Sequence, residues 1–250
     1  MRSIIACAAI IVWGCGNAFC ATNGLVSLSH YDEVSPDFLG MRSQGIEGII
    51  HEATYPSFDR DSKYVYRQNG ASKAGLLWGA YHFGNASDGA RQADHFLDVV
   101  GAGMSSAPTK SGVLLVLDAE KNTHYPGGTM GVRQAISFIR RVHEKTGLYP
   151  GFYSNENWIK SLFNDAALDT ASRETLNKCW LWIANYHYRP AFTGPWNTWS
   201  LWQYTGDGVC QLPRASFPTA VANISKVERT IFNGDRDSLR EFWAGHAWKR

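Results

Sequence analysis

The sequence carries almost no excess of one charge: 24 Lys and Arg stand against 22 Asp and Glu, a formal net charge of +2. A face that holds nucleic acid needs a clustered basic excess, so no nucleic-acid partner is expected. Long apolar runs are missing too. The longest, residues 4–13, is half the roughly 20 residues that a membrane-spanning helix needs, so no stable membrane insertion is expected. No repeat, low-complexity tract or linker interrupts the chain, which excludes fibrous and disordered classes. What remains is 250 residues, enough to bury one sizeable core in one large domain.

Cysteine is scarce, and its placement is informative. Arg2 precedes the apolar run, and small residues follow at Gly14, Gly16 and Ala18, so residues 1–20 read as a secretory signal. Cleavage is expected after Ala18 or Cys20. Trp13 stands where a lipobox needs a small residue, in Val12-Trp13-Gly14-Cys15, so secretion or periplasmic release is expected over a lipid anchor. Cys7 and Cys15 go with the signal and Cys20 sits at its edge. Cys179 and Cys210 remain in the mature domain, residues 21–250. Export to an oxidising compartment favours a bridge between them over two buried thiols.

Aromatic residues are plentiful at 13%, suiting a well-filled core and also the stacking of flat apolar surfaces on sugar rings. Short apolar runs at 25–28, 48–51, 76–83, 113–117, 149–153, 180–184 and 199–204 read as strands. Between the earlier ones lie helix-like segments at 61–74, 89–100 and 131–145, the last ending at Gly147 with Pro150 beyond. Later connections are shorter and rich in Pro, Gly and Trp. The pattern predicts an irregular parallel α/β barrel, with Asp235 capping a terminal helix through Leu239, Phe242 and Trp243.

The strand 113–117 breaks into Asp118-Ala119-Glu120. Residues i and i+2 of a strand share a face, about 6.5–7 Å apart at Cα. Chemistry in parallel barrels gathers at the C-terminal strand ends, where this pair falls. Neighbouring carboxylates oppose each other's ionisation, so one can stay protonated as an acid while the other is charged, as glycoside hydrolysis requires. His30, His51 and His82 also fall at strand ends and could hold zinc with Asp118, but no paired His spacing supports a metal site, and scaffold histidines are expected. A rim of Tyr81, Tyr153, Trp182, Tyr186, Trp202 and Tyr204, with Gln203, Asn155 and Asn185, would suit a saccharide cleft.

Seven ordered segments carry a resemblance: Ser29-His30-Tyr31, Ile49-Ile50-His51-Glu52-Ala53-Thr54, Gly79-Ala80-Tyr81-His82-Phe83, Leu117-Asp118-Ala119-Glu120, Gly151-Phe152-Tyr153-Ser154, Leu181-Trp182-Ile183-Ala184 and Leu201-Trp202-Gln203-Tyr204-Thr205. Over residues 24–243 the chain resembles the family 25 glycoside hydrolases, the Chalaropsis-type lysozymes. The resemblance implies an irregular TIM-like barrel of five β/α units followed by three strands with few helices. It implies a muramidase acting on peptidoglycan glycan strands and no cofactor; a monomer without a metal site is expected. Glu120 resembles the family's general acid and Asp118 its charged partner, which would orient the substrate acetamido group or stabilise the transition state. Tyr153 resembles its active-site tyrosine, and Tyr81, Trp182, Trp202 and Gln203 its cleft wall.

Three departures stand out. Ser27 occupies a position where the family usually has Asp, and Asp32 is considered as a substitute. Glu52 replaces a common Lys. Glu228, in Glu228-Arg229-Thr230-Ile231-Phe232-Asn233-Gly234, takes the last carboxylate position in place of Asp. Two competing readings follow: a glycan-binding protein that has lost turnover, and a metal-dependent hydrolase or deacetylase using His30, His51 and His82.

Overall fold

The apolar runs become strands buried on both faces, which is why they lack polar alternation. The computed structural model describes residues 21–250 apart from positions 108, 192 and 207; the expected secretory signal, with Cys7, Cys15 and Cys20, lies outside the described residues. In chain order the elements are β1 (Thr22–Leu28), α1 (Phe38–Ser43), β2 (Gly48–Tyr55), β3 (Asp59–Arg60), α2 (Tyr64–Lys73), β4 (Leu77–Phe83), α3 (Gly89–Ser106), β5 (Val113–Asp118), α4 (Val132–Thr146), β6 (Gly151–Asn155), α5 (Glu156–Phe163), α6 (Thr170–Asn177), β7 (Leu181–Ala184), β8 (Leu201–Thr205), β9 (Glu228–Phe232), α7 (Arg236–His246) and β10 (Ala247–Trp248). The barrel runs β1-β9-β8-β7-β6-β5-β4-β2 and closes through β1–β2 pairing, while β3 and β10 attach to β2 and β5. Helices follow the first five barrel strands and are missing between the last three, as expected.

The parallel expectation fails at β9, which is antiparallel to both β1 and β8. The connection from β8, with local bridges Gly206–Val209 and Val221–Ile224, packs Phe217 against the outward-facing Trp202 and Tyr204 and enters β9 from the mouth end. Glu228 therefore reaches the mouth from the start of its strand, opposite Ser27.

Period-two alternation sorts the side chains. On β5, Val113, Leu115 and Leu117 pack outward with the helices, while Leu114 and Val116 join the barrel interior with Leu25, Ile50 and Leu201. Asp235 caps α7 by accepting from the Ser238 amide at 2.7 Å, and Gly147 ends α4 at φ +74°, a left-handed position suited to glycine. Leu239 and Trp243 of α7 complete the interior cluster at the barrel base. Trp243 is fully buried and its indole donates to the Trp78 carbonyl at 3.2 Å. Trp243→Ala is expected to cost about 3–5 kcal/mol, measured by denaturant unfolding.

The expected Cys179–Cys210 bridge is absent: both are free thiols. The Cys179 thiol turns back toward the end of α6, donating to the Thr175 carbonyl at 3.8 Å, and is buried there. No described helix is long and apolar enough to cross a membrane.

Candidate active site

Because Leu114 and Val116 face the interior, the same alternation turns Asp118 inward, and Glu120 lies two residues further on at the barrel mouth. The backbone here is pinned from both sides. Gly84 N–H donates to the Asp118 carbonyl at 2.9 Å, Ala119 N–H to the Tyr153 carbonyl at 3.0 Å, and Ser154 Oγ to the Ala119 carbonyl at 2.7 Å. Both acids open onto a cleft of about 850 Å³ that is also lined by Glu228, Asp32, Tyr81, Tyr153, Trp182 and Gln203.

Burial, with Glu120, Glu228 and Glu52 nearby, pushes the Asp118 carboxyl well above the ordinary carboxylate range. Its Oδ1 is buried without a hydrogen-bond partner, as are Trp182 Nε1 and Gln203 Oε1. Leaving such groups unpaired costs roughly 1–3 kcal/mol each, which a polar ligand in the cleft can offset. Burial and the surrounding carboxylates also raise the Tyr81 and Tyr153 phenols well above their usual value, so both remain neutral donors. The Tyr153 ring meets Trp182 edge-on at 4.8 Å.

Trp202 and Tyr204 do not join this wall. Gln203 faces the interior, so its neighbours face outward into the helix-side core with Phe217, and the Trp202 indole donates to the Asn185 carbonyl at 2.8 Å. Asp32 lines the cleft edge, accepting from the Ser29 amide at 2.7 Å. Burial raises its carboxyl pKa, with Arg67 and Lys63 opposing. Ser27, at the departure from the family pattern, is buried and its hydroxyl has no hydrogen-bond partner.

The three histidines do not converge on Asp118. His82 sits between the Thr54 hydroxyl at 2.8 Å and Gln92 Oε1 at 2.9 Å, and burial lowers its pKa to about 4. The Gln92 oxygen can only accept, which fixes the proton on His82 Nε2. His51 bonds the Glu52 carbonyl through Nδ1 at 2.7 Å and accepts from Arg67 through Nε2 at 3.1 Å; burial lowers its pKa to about 3. Both are neutral scaffold groups, and His30 pairs instead with Glu52 at 2.6 Å.

Several cleft residues had no sequence signal. Tyr125 comes from the loop between β5 and α4, where no periodicity exists, and stacks on Tyr55 at 5.2 Å. Glu156 opens α5 and accepts from Asn185 Nδ2 at 3.1 Å and from the Tyr188 hydroxyl at 3.4 Å. Glu52 was visible as a departure, and its place two residues beyond the interior Ile50 shows why it enters the cleft.

Lysozyme M1 of Streptomyces globisporus is 27% identical over 229 residues, spanning 86% of this chain and 69% of that protein. The bacterial lysozyme of Streptomyces coelicolor has a similar structure, with a TM-score of 0.68 at 24% identity, over 93% of this chain and 100% of that one. The family GH25 lysozyme of Aspergillus fumigatus gives a TM-score of 0.64 at 24% identity, over 90% of this chain and 100% of the other. These structural likenesses speak for the barrel. The model of glycosyl hydrolases family 25 matches residues 26–211, well over half the sequence and including the acid pair, and the chain belongs to that family.

Proposed function

We propose that this family 25 glycoside hydrolase is an exported muramidase that hydrolyses the β-1,4 bond between N-acetylmuramic acid and N-acetylglucosamine in peptidoglycan. The observation that carries this reading is the acid pair, Asp118 and Glu120, at the mouth of a barrel whose cleft combines aromatic rings with unpaired polar atoms. Glu120 protonates the leaving glycosidic oxygen as the bond to the sugar C1 breaks. Asp118 faces the positive charge that develops on the sugar and its acetamido group. Burial and the neighbouring acids favour the proton on Asp118 in the free protein, so this role requires that the proton the two acids share rest on Glu120 once substrate fills the cleft. We read the reaction as retaining: the acetamido oxygen bonds C1 as the glycosidic bond breaks, and water then attacks C1 and passes its proton to Glu120. Tyr81, Tyr153 and Trp182 hold the sugars and Gln203 bonds them. Glu228 adds a third carboxylate, and Asp32 borders the cleft. The protein acts as a monomer, without a cofactor.

Borohydride reduction of solubilised wall fragments, followed by mass spectrometry, tests the bond. Fragments ending in reduced N-acetylmuramic acid are expected. Ends of reduced N-acetylglucosamine would assign a glucosaminidase instead.

A further inference from the structure

His30, Glu52 and Asp61 come from three separate segments: the loop after β1, the strand β2, and the residue after β3. His30 Nδ1 lies 2.6 Å from Glu52 Oε2 and 3.7 Å from Asp61 Oδ2, and one ligand atom of each residue lies within 4.8 Å of the others. The side chains of Glu52 and Asp61 are 3% and 0% exposed. Asp61 Oδ1 accepts from the Lys63 amide at 2.7 Å, whereas Oδ2 is buried without a hydrogen-bond partner. His51 Nδ1 is 3.8 Å away, but its hydrogen bond goes to the Glu52 carbonyl.

The nearby cations place their hydrogen bonds elsewhere, with the Arg67 charge acting on Asp61 only at a distance. Lys63 Nζ donates to the carbonyls of His30 and Asp32, and Arg67 donates to the carbonyls of Ser29, Asp32 and Val34 and to His51 Nε2. His30 is thus the group that Glu52 bonds and Asp61 Oδ2 faces.

We propose that His30 Nδ1, Glu52 and Asp61 form a binding site for a divalent transition-metal ion, with Zn²⁺ the best match. One imidazole nitrogen and two carboxylate oxygens suit this borderline cation. A tetrahedral ion about 2.0–2.2 Å from its ligands holds them roughly 3.3–3.6 Å apart. The His30–Asp61 separation is already close to this. The shorter His30–Glu52 contact opens by about 1 Å when the ion replaces the shared proton. Such an ion would staple the loop carrying Tyr31 and Asp32, at the edge of the cleft, to β2 and the β3 turn. His30 and Asp61 do not line the cleft, and Glu52 borders it near Asp118; the ion is given no step in the hydrolysis proposed above, and the site does not depend on that reading.

The test is calorimetric titration of tag-free, chelator-stripped protein with zinc sulfate, alongside His30→Ala and Glu52→Gln. The wild type is expected to bind one equivalent, and each variant to lose more than about 100-fold in affinity, exceeding the 10–100-fold typical of outer-shell changes. Zinc is expected to raise the melting temperature of the wild type and not of His30→Ala. His246→Ala, on α7, should titrate like the wild type. Near-UV circular dichroism verifies the fold of each variant; should Glu52→Gln fail it, His30→Ala, at a partly exposed side chain, carries the same test. No binding by the wild type, or undiminished binding by folded His30→Ala, overturns the proposal.

Discussion

Glu120→Gln is expected to slow solubilisation of peptidoglycan by about 10²–10⁴-fold, the range contributed by a positioned general acid. The amide keeps the size of the side chain at the cleft mouth and cannot donate a proton to the leaving oxygen. Because the loss lies in protonating the leaving group, it should shrink on an aryl glycoside, whose phenolate leaves without help. Turnover of both substrates by wild type and variant measures this split. An equal loss on both would place Glu120 in binding rather than in proton transfer.

Asp118→Asn should have the second large effect, and in two opposite directions. Activity is expected to fall by about 10²–10³-fold, as when a preorganised electrostatic group is removed from a transition state. Stability at neutral pH is expected to rise. Burial and the neighbouring Glu120, Glu228 and Glu52 raise the Asp118 pKa, so the folded protein binds this proton more readily than the unfolded chain does. Stability then declines as pH rises from the unfolded carboxylate value, about 3.9, through the raised folded value. The asparagine cannot ionise and escapes that decline. Thermal melts of the two proteins should diverge at pH 7, by about 2–4 °C for each kcal/mol recovered, and converge below about pH 3.9. A variant less stable than wild type at pH 7 would mean that the ionised carboxylate is satisfied in the fold. The same pKa shift sets an acid limb on activity: lysis should fail as pH drops through the raised Asp118 value, above the ordinary carboxylate range.

These expectations rest on a pair that the sequence exposes directly. The apolar strand β5 fixes the inward direction of Asp118, and Glu120, in the bend two residues past the strand's last alternating position, lines the same cleft. Trp202-Gln203-Tyr204 has no such guide in the sequence. Adjacent residues on a strand face opposite ways, so the three could not all line one cleft, and only the closed barrel decides that Gln203 turns inward. β9 was harder still. Its five residues include Glu228, Arg229 and Thr230, which leave little apolar signal, and its antiparallel direction follows from where the preceding connection lies. The bridge expected for Cys179 and Cys210 rests on an oxidising compartment and on both residues flanking apolar strand-like runs that could be neighbours, and the fold instead directs the Cys179 thiol into the end of α6. His51 and His82 look alike in sequence to ligands, and their neutral scaffold roles appear only with the partners Arg67, Thr54 and Gln92 in place.

The central claim, that this cleft cuts glycan through Glu120, is tested most directly by incubating purified peptidoglycan with wild type and Glu120→Gln and measuring both released muropeptides and protein pelleted with the wall. The account predicts release by the wild type, loss of release by the variant, and pelleting of the variant with the insoluble wall. Pelleting of both proteins with no release by either would contradict it and point to a barrel that binds glycan without cleaving it.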